Sequence, residues 1–356
     1  MTAQLEVLSA GPSITVQDRG RPGFQRYGVA GGGALDPYAL AEGAALLGNP
    51  GDAAALELFG LGGSFRALEQ PLRFALSGAV MPAAKITLDG KRENLAWRAS
   101  SLLQPGEVLE IGAATTGLVG YLHLGGGVAT EPVLGSRAVH LRAGIGGGRL
   151  EAGDRVPVGE DPRREDPVGE DLEDRARADR LTLPQPGYLG QREIRVLWGP
   201  QAELFDAAER QRFLSTEFTV STHRDRMAAR LDGGVFEASA QLTGLSAAVS
   251  LGDIQVPGDG APLVLLADRQ PTGGYPRIAT VIIADLPAFA QMPSSAPFRF
   301  VLVERAAAVK ALKAWRDQVK DLAGQVRPLV RDPRNIPDLL SYNLIDGMIS
   351  VEEELP

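Results

Sequence analysis

The chain has 356 residues, a formal net charge of −8 and no cysteine. That balance argues against nucleic acid as a partner, because neutralising phosphates takes a basic footprint, and the missing cysteines exclude disulfides, thiolate nucleophiles and zinc sites of the cysteine type. The length suits two domains or one large one, with no need of staples, and 43 glycines and 25 prolines separating short apolar runs point to a mainly β protein.

Residues 1–16 carry neither a basic n-region nor an apolar h-region, and no run approaches the ~18 apolar residues of a membrane span. The expectation is a cytoplasmic protein without a membrane partner. Residues 5–8 and 13–16 read as strands. Between them and the first helix lies Gln17-Asp18-Arg19-Gly20-Arg21-Pro22-Gly23-Phe24-Gln25-Arg26-Tyr27-Gly28, a locally basic segment. Gly20, Pro22 and Gly23 turn it, so its charged groups are expected to be displayed rather than buried. Asp36 and Pro37 are an N-cap and a first helical residue, residues 38–47 fit an amphipathic helix, and Gly48-Asn49-Pro50 ends it.

From 54 to 153 short apolar runs alternate with turns: 54–59, 72–76, 85–88, 108–111 and 118–124, with a hairpin turn at Asp89-Gly90. The glycine-rich stretches 125–127 and 144–150 match neither G-x-G-x-x-G opening a helix nor G-x-x-x-x-G-K-[ST], and read as tight turns. Residues 160–180 hold nine acidic and five basic side chains among 21. Such a segment cannot bury enough surface to fix its conformation. The chain therefore divides into a β-rich portion over 1–157, a charged linker or insert over 158–192, a second β-rich portion over 193–305 and a helical tail over 306–356.

In the second portion, 193–198 reads as a strand and Pro200 opens a helix to about 214. The runs 262–267 and 278–285 read as strands flanking the loop 268–277, Asp268-Arg269-Gln270-Pro271-Thr272-Gly273-Gly274-Tyr275-Pro276-Arg277. Residues 304–322 form an amphipathic helix, and 336–345 a last one.

Asp-Arg pairs recur at 18–19, 225–226 and 268–269, each beside turn residues. Converged, they would form a polar cleft whose arginine forks hold a carboxylate or phosphate; the alternative is three unrelated surface ion pairs. The three histidines are isolated and match no metal-ligand spacing, so no metal is expected. With no G-x-S-x-G elbow, a general base is expected among Asp18, Asp225 and Asp268.

These stretches resemble the biotin-dependent carboxyltransferase-like proteins, the family of KipA, allophanate hydrolase subunit 2 and the 5-oxoprolinase C-subunit. The likeness rests on residues 15–29, Gly33-Ala34-Leu35-Asp36, Leu134-Gly135-Ser136-Arg137, Gly147-Gly148-Arg149-Leu150, Val196-Leu197-Trp198-Gly199-Pro200, Asp225-Arg226-Met227, Ile254-Gln255-Val256-Pro257 and the loop 268–277 with 278–285, in family order. It implies tandem cyclophilin-like β-barrel domains with a few peripheral helices. It also implies ATP-dependent opening of 5-oxoproline to glutamate, with ATP bound by this chain or a partner. The partners implied are a KipI-type protein, the B-subunit of the 5-oxoprolinase, and a further oxoprolinase subunit. Substrate contacts are expected from Gln17, Arg21, Arg26, Tyr27, Arg226, Arg269, Gln270, Thr272, Gly273, Gly274, Tyr275 and Arg277. Two other readings stand beside this one: biotin-dependent carboxyl transfer to a urea-like amide, and non-catalytic capture of a kinase-inhibitor protein. No Met-Lys-Met sequence is present, so biotin would arrive on another chain. Pro271, Ala228 and Val139 depart from the threonine, glycine and threonine expected there.

Overall fold

The computed structural model describes residues 3–162, 180–239, 246–294 and 296–329. The expected helix over 336–345 and most of the charged stretch lie outside them. The fold is mainly β, two barrel-like lobes of curled sheets in tandem with, among the described residues, four helices outside them. In the first lobe a six-stranded sheet runs in the order Arg155–Pro157, Gln4–Ala10, Gly63–Ala67, Val108–Ile111, Ala83–Ile86, Arg92–Asn94. A seven-stranded sheet faces it, in the order Ile14–Gln17, Ala55–Phe59, Thr116–Leu124, Leu72–Val80, Ala99–Leu103, Leu181–Thr182, Arg327–Pro328. Alternating apolar residues such as Leu5, Val7, Phe65, Phe74, Leu76 and Leu122 fill the space between them. The last two strands come from the expected linker and tail: Thr182 pairs with Ala99, and Leu181 and Thr182 pair with Pro328 and Arg327.

The second lobe holds a seven-stranded sheet: Thr219–Arg224, Ala228–Asp232, Leu263–Leu265, Asp253–Gln255, Arg277–Val281, Glu193–Trp198, Arg299–Leu302. Its core is aromatic, with Phe213, Phe218, Phe236, Phe298 and Phe300 packed together. The same core continues into the first lobe through Leu35, Ala39, Leu40, Val119 and Tyr121. The runs flanking 268–277 are not hairpin partners. The short strand Asp253–Gln255 lies between them and pairs with both, so the loop crosses over it.

Three helices differ from their sequence signals. Helix α1 (Pro37–Leu47) has its Asp36 cap and a left-handed Gly48 stop as expected, but it is buried on nearly every side, packed between the seven-stranded sheet of the first lobe and the helices Leu286–Ala290 and Arg305–Gln325. Pro200 starts no long helix. A 3-10 turn, Ala202–Leu204, precedes α2 (Ala207–Ser215), which begins where the Asp206 carboxylate accepts from the Glu209 N–H at 2.8 Å. A short α3 (Leu286–Ala290) follows the strand Arg277–Val281, and α4 (Arg305–Gln325) lies across α1, burying Leu322 beside Tyr38, Leu46 and Leu47.

Candidate functional site

The strand Ala55–Phe59 carries one acidic residue in an otherwise apolar run, and that residue, Glu57, starts a buried polar chain between the lobes. A charge taken out of water must be paired. Glu57 accepts from the Arg226 guanidinium, from the Leu35 N–H at 2.9 Å and from the Tyr121 hydroxyl at 2.7 Å. Arg226 also makes a fork to Asp268, with Nε and Nη2 each 3.0 Å from a carboxylate oxygen, and donates to the Gly33 carbonyl at 2.7 Å. Burial works against the Arg226 charge, but Glu57 and Asp268 more than offset it, and its proton is held more tightly than in water. The Tyr121 hydroxyl accepts from the Asp36 N–H at 2.9 Å. Asp36 in turn accepts from Tyr188 at 2.7 Å and Gln291 at 2.8 Å. Gln291 closes the chain on the Leu118 and Val119 backbone.

This chain positions the loop 268–277 against the turn at 17–28. The Asp268 N–H donates to the Arg226 carbonyl, and Gly32 N–H to the Ala267 carbonyl. Gln25 donates to the Val249 carbonyl at 2.7 Å and the Pro271 carbonyl at 3.0 Å, which fastens the 3-10 turn Gln25–Tyr27 to the loop. Pro271 thus still supplies a carbonyl, although it lacks the N–H and hydroxyl a threonine would bring. Arg269 donates weakly to the Val249 carbonyl at 3.5 Å and to the Gln25 Oε1 at 3.3 Å, and pairs with no carboxylate among the described residues. Burial loosens its hold on its proton. Gln270 donates to the Gln255 Oε1 at 3.3 Å, while the Gln255 Nε2 is buried and unpartnered. A Cβ at Gly273 would fall 2.5 Å from that nitrogen, so only glycine lets the loop lie against this amide.

Arg21 is the deepest cation, 1% exposed. Its Nη2 donates to the Ala138 carbonyl and its Nε, at 3.5 Å, to that of Val133, but its buried Nη1 has no partner among the described residues. Gly32, at φ +61°, leaves the space beside it: a Cβ there would lie 3.1 Å from Nη1 and 3.7 Å from the Asp268 Oδ1. Burial weakens the proton affinity of Arg21, opposed by Asp18 and Asp268.

The structure thus joins Asp18, Arg21, Arg226, Asp268, Arg269 and Arg277 in one connected region, and corrects several expectations about them. Asp18, Arg21 and Gln17 are buried, not displayed, because residues 133–139 cover the turn. Asp18 accepts from the Gly20 N–H at 2.7 Å, the Ser136 hydroxyl at 2.6 Å and the Arg137 N–H at 2.7 Å, so its carboxylate is consumed as a loop clamp. Gln17 is tied to Thr15 and the Val139 carbonyl, with Oε1 left unpartnered. Asp225 faces away: it is exposed, caps its own turn through the Met227 and Ala228 N–H groups, and meets Arg142 at 3.1 Å. Of the three aspartates only Asp268 lies at the junction. Arg277 is buried and held by Gln201, the Ala248 carbonyl and Asp253, so it frames the loop from behind. Arg26, Tyr27, Thr272 and Tyr275 are exposed along the rim. Ala228 lies in a regular strand, where no positive φ calls for glycine. Sequence reasoning passed over Glu57, Tyr121, Gln255 and Gln291; a lone acid in an apolar strand was the available signal for Glu57.

Two cavities, of about 400 and 380 Å³, flank Trp315 of α4. The smaller opens beside Asp18, and neither is lined by the loop 268–277. Among the described residues no group of three or more histidines and carboxylates is arranged to hold a metal ion.

The description "Carboxyltransferase domain, subdomain A and B" fits residues 27–302. The chain is 37% identical over 317 residues to the 5-oxoprolinase C-subunit of Escherichia coli, an alignment spanning 88% of this chain and 95% of that protein. Against the 5-oxoprolinase C-subunit of Haemophilus influenzae it is 33% identical over 327 residues, 90% and 99% of the two chains. The crystal structure of the K. lactis urea amidolyase superposes with a TM-score of 0.77 over 93% of this chain at 24% identity, a likeness of fold. This chain spans about a fifth of that one, 21%.

Proposed function

The chain belongs to the family of carboxyltransferase domains with subdomains A and B, and on that premise we propose that it is a subunit of an ATP-dependent 5-oxoprolinase, opening 5-oxo-L-proline to L-glutamate together with partner subunits. The observation that carries this reading is the junction of the turn 17–28 with the loop 268–277. Among the described residues, guanidinium donors stand there without carboxylate partners, beside an unspent glutamine amide. The substrate is a small lactam bearing one carboxylate. Arg269 and the Nη1 of Arg21 are suited to the carboxylate. The Gln255 Nε2, Gln270 and the backbone at Gly273 and Gly274 are suited to the lactam oxygen, where negative charge develops as the ring opens. Asp268, kept anionic and oriented by the Arg226 fork, is the carboxylate available to direct a proton or a water. Asp18 and Asp225 take no part in this chemistry.

The glycine-rich stretch 144–150 folds as turns with positive φ at Gly144, Gly146 and Gly147 and opens no helix. It offers no phosphate cradle, and we assign ATP to a partner chain, with a KipI-type subunit and a further subunit completing a cytoplasmic complex. The test is ATP hydrolysis dependent on 5-oxoproline, measured for the chain alone and with the two partner subunits added. Turnover is expected only from the reconstituted complex. Turnover with urea and a biotinylated carrier, and none with 5-oxoproline, would overturn the reading.

A further inference from the structure

We propose that the cavity between α1, α4 and the turn at Asp18 and Arg19 binds a small amphipathic organic anion, an oxyanion head on a short apolar body. The cavity measures about 380 Å³ and lies outside the junction described above. Its floor is apolar, made by Ala34, Leu40 and Ala41 from the first lobe and Val319 from α4. Its rim is cationic. Arg19, Arg316 and Lys320 line it from two separate parts of the chain, and none of their side chains has a hydrogen bond or ion pair with any described residue. The guanidinium of Arg19 lies close to Gly51, where a Cβ would fall 2.6 Å from Nη2.

Asp18, the acid that lines the cavity, keeps its charge but is outnumbered by the three cations, and it also faces Arg21. Both oxygens of Asp18 are engaged by the Gly20 and Arg137 N–H groups and the Ser136 hydroxyl. In a protein of net charge −8, three cations unpaired among the described residues around one opening are a local field of the opposite sign, which gathers anions. A neutral apolar molecule would gain the floor and leave the cations unused. An inorganic anion would gain the cations and leave the floor wet. An amphipathic anion satisfies both, with forked guanidinium donors suited to a carboxylate or a phosphate ester. Trp315 forms one wall, and its buried Nε1 has no partner among the described residues. Trp315 gives the cavity an optical reporter.

The experiment titrates the full-length protein with hexanoate, hexyl phosphate, hexanol and hexylamine, following tryptophan fluorescence and heat. One or both anions should give a saturable response, the stronger of the two identifying the head group, and hexanol and hexylamine should bind far more weakly. The fluorescence response should vanish in Trp315→Phe while the heat remains. In Arg316→Ala/Lys320→Ala, whose exposed side chains carry no fold contacts, affinity should fall about three- to thirty-fold, and salt should weaken binding to the wild type. Equal affinity for hexanol and the anions, unchanged binding in the double variant, or no saturable response to either anion would overturn the assignment.

Discussion

Arg226 and Arg269 are neighbours at the junction, yet replacing each with alanine should do opposite things. Removing the Arg226 guanidinium strands two carboxylates, Glu57 at 1% and Asp268 at 4% exposure, and takes a donor from the Gly33 carbonyl. Breaking a buried ion pair from one side costs ~3–5 kcal/mol, and an unsatisfied carbonyl adds ~1 kcal/mol or more. Against a total stability of ~5–15 kcal/mol, Arg226→Ala should lose at least ~4 kcal/mol. At ~2–4 °C per kcal/mol for a chain beyond 150 residues, that is a fall in Tm of roughly 10 °C. Arg226→Met/Glu57→Gln, which strands only one carboxylate, should lose less than the two single changes summed. Arg269 holds only a 3.5 Å and a 3.3 Å contact. Its alanine variant should keep Tm within ~2 °C while kcat/KM of the reconstituted complex falls ~10²-fold, or about 2.7 kcal/mol of transition-state binding. Calorimetry with the coupled ATPase assay separates the two. An Arg226→Ala protein melting within ~2 °C of wild type would refute the reasoning.

Gly43→Ala should be strongly destabilising despite the ~1 kcal/mol gain in helix propensity, because a Cβ would fall 1.9 Å from the His123 ring; urea unfolding measures it, and Gly43→Ala/His123→Ala should recover part of the loss. Burial holds the His123 imidazole at about 3, below its usual 6.5, so it is neutral in the fold. The stability it contributes is fully present above the unfolded value and lost as pH falls through the window from 6.5 toward 3. Between pH 7 and 5 the wild type should lose ~2 kcal/mol that His123→Gln does not, read from urea midpoints. Gly32→Ala should lower kcat/KM by closing the space beside the Arg21 Nη1, and Gly31→Ala, where a Cβ meets nothing within 4 Å, should not. Arg277→Ala should cost stability as well as activity, since it strands Asp253 in a buried setting; a melting curve unchanged from wild type would contradict that.

Much of the fold was legible because short apolar runs bounded by glycine and proline mark strands at close to their true limits, as at Val108–Ile111. Strand order was not. Asp253–Gln255 is three residues long, too short to stand out by periodicity, yet its place between Leu263–Leu265 and Arg277–Val281 makes the loop between the two flanking strands a crossover. Charge was misread for a related reason. Turn residues announce a change of direction but not what covers it, so the burial of Arg21 and Asp18 under residues 133–139 could not be seen locally. Helix α1 lacks a polar face because the first-lobe sheet packs on one side of it and α3 and α4 on others, a fact of tertiary arrangement that its own sequence carries only as an excess of small and apolar residues. Convergence of the three Asp-Arg pairs stood as one of two readings; only some of their members meet, and which are free and which are consumed is decided by partners such as Glu57 and Ser136, far away along the chain.

The two short strands at the edge of the seven-stranded sheet have a bearing on biosynthesis. Leu181–Thr182 and Arg327–Pro328 pair with each other at the base of an excursion that contains the second lobe and α4. The first lobe therefore acquires its last strand only when residue 328 leaves the ribosome. Before residues 188, 226 and 291 have emerged, Asp36, Tyr121 and Glu57 lack the partners Tyr188, Gln291 and Arg226. The nascent N-terminal half is a half-built interface, wet and charged where the finished protein is dry, and a chaperone or an early-arriving partner would meet it in that state. The lobes mature together, and a gene cut at their boundary should yield two fragments that need each other to fold.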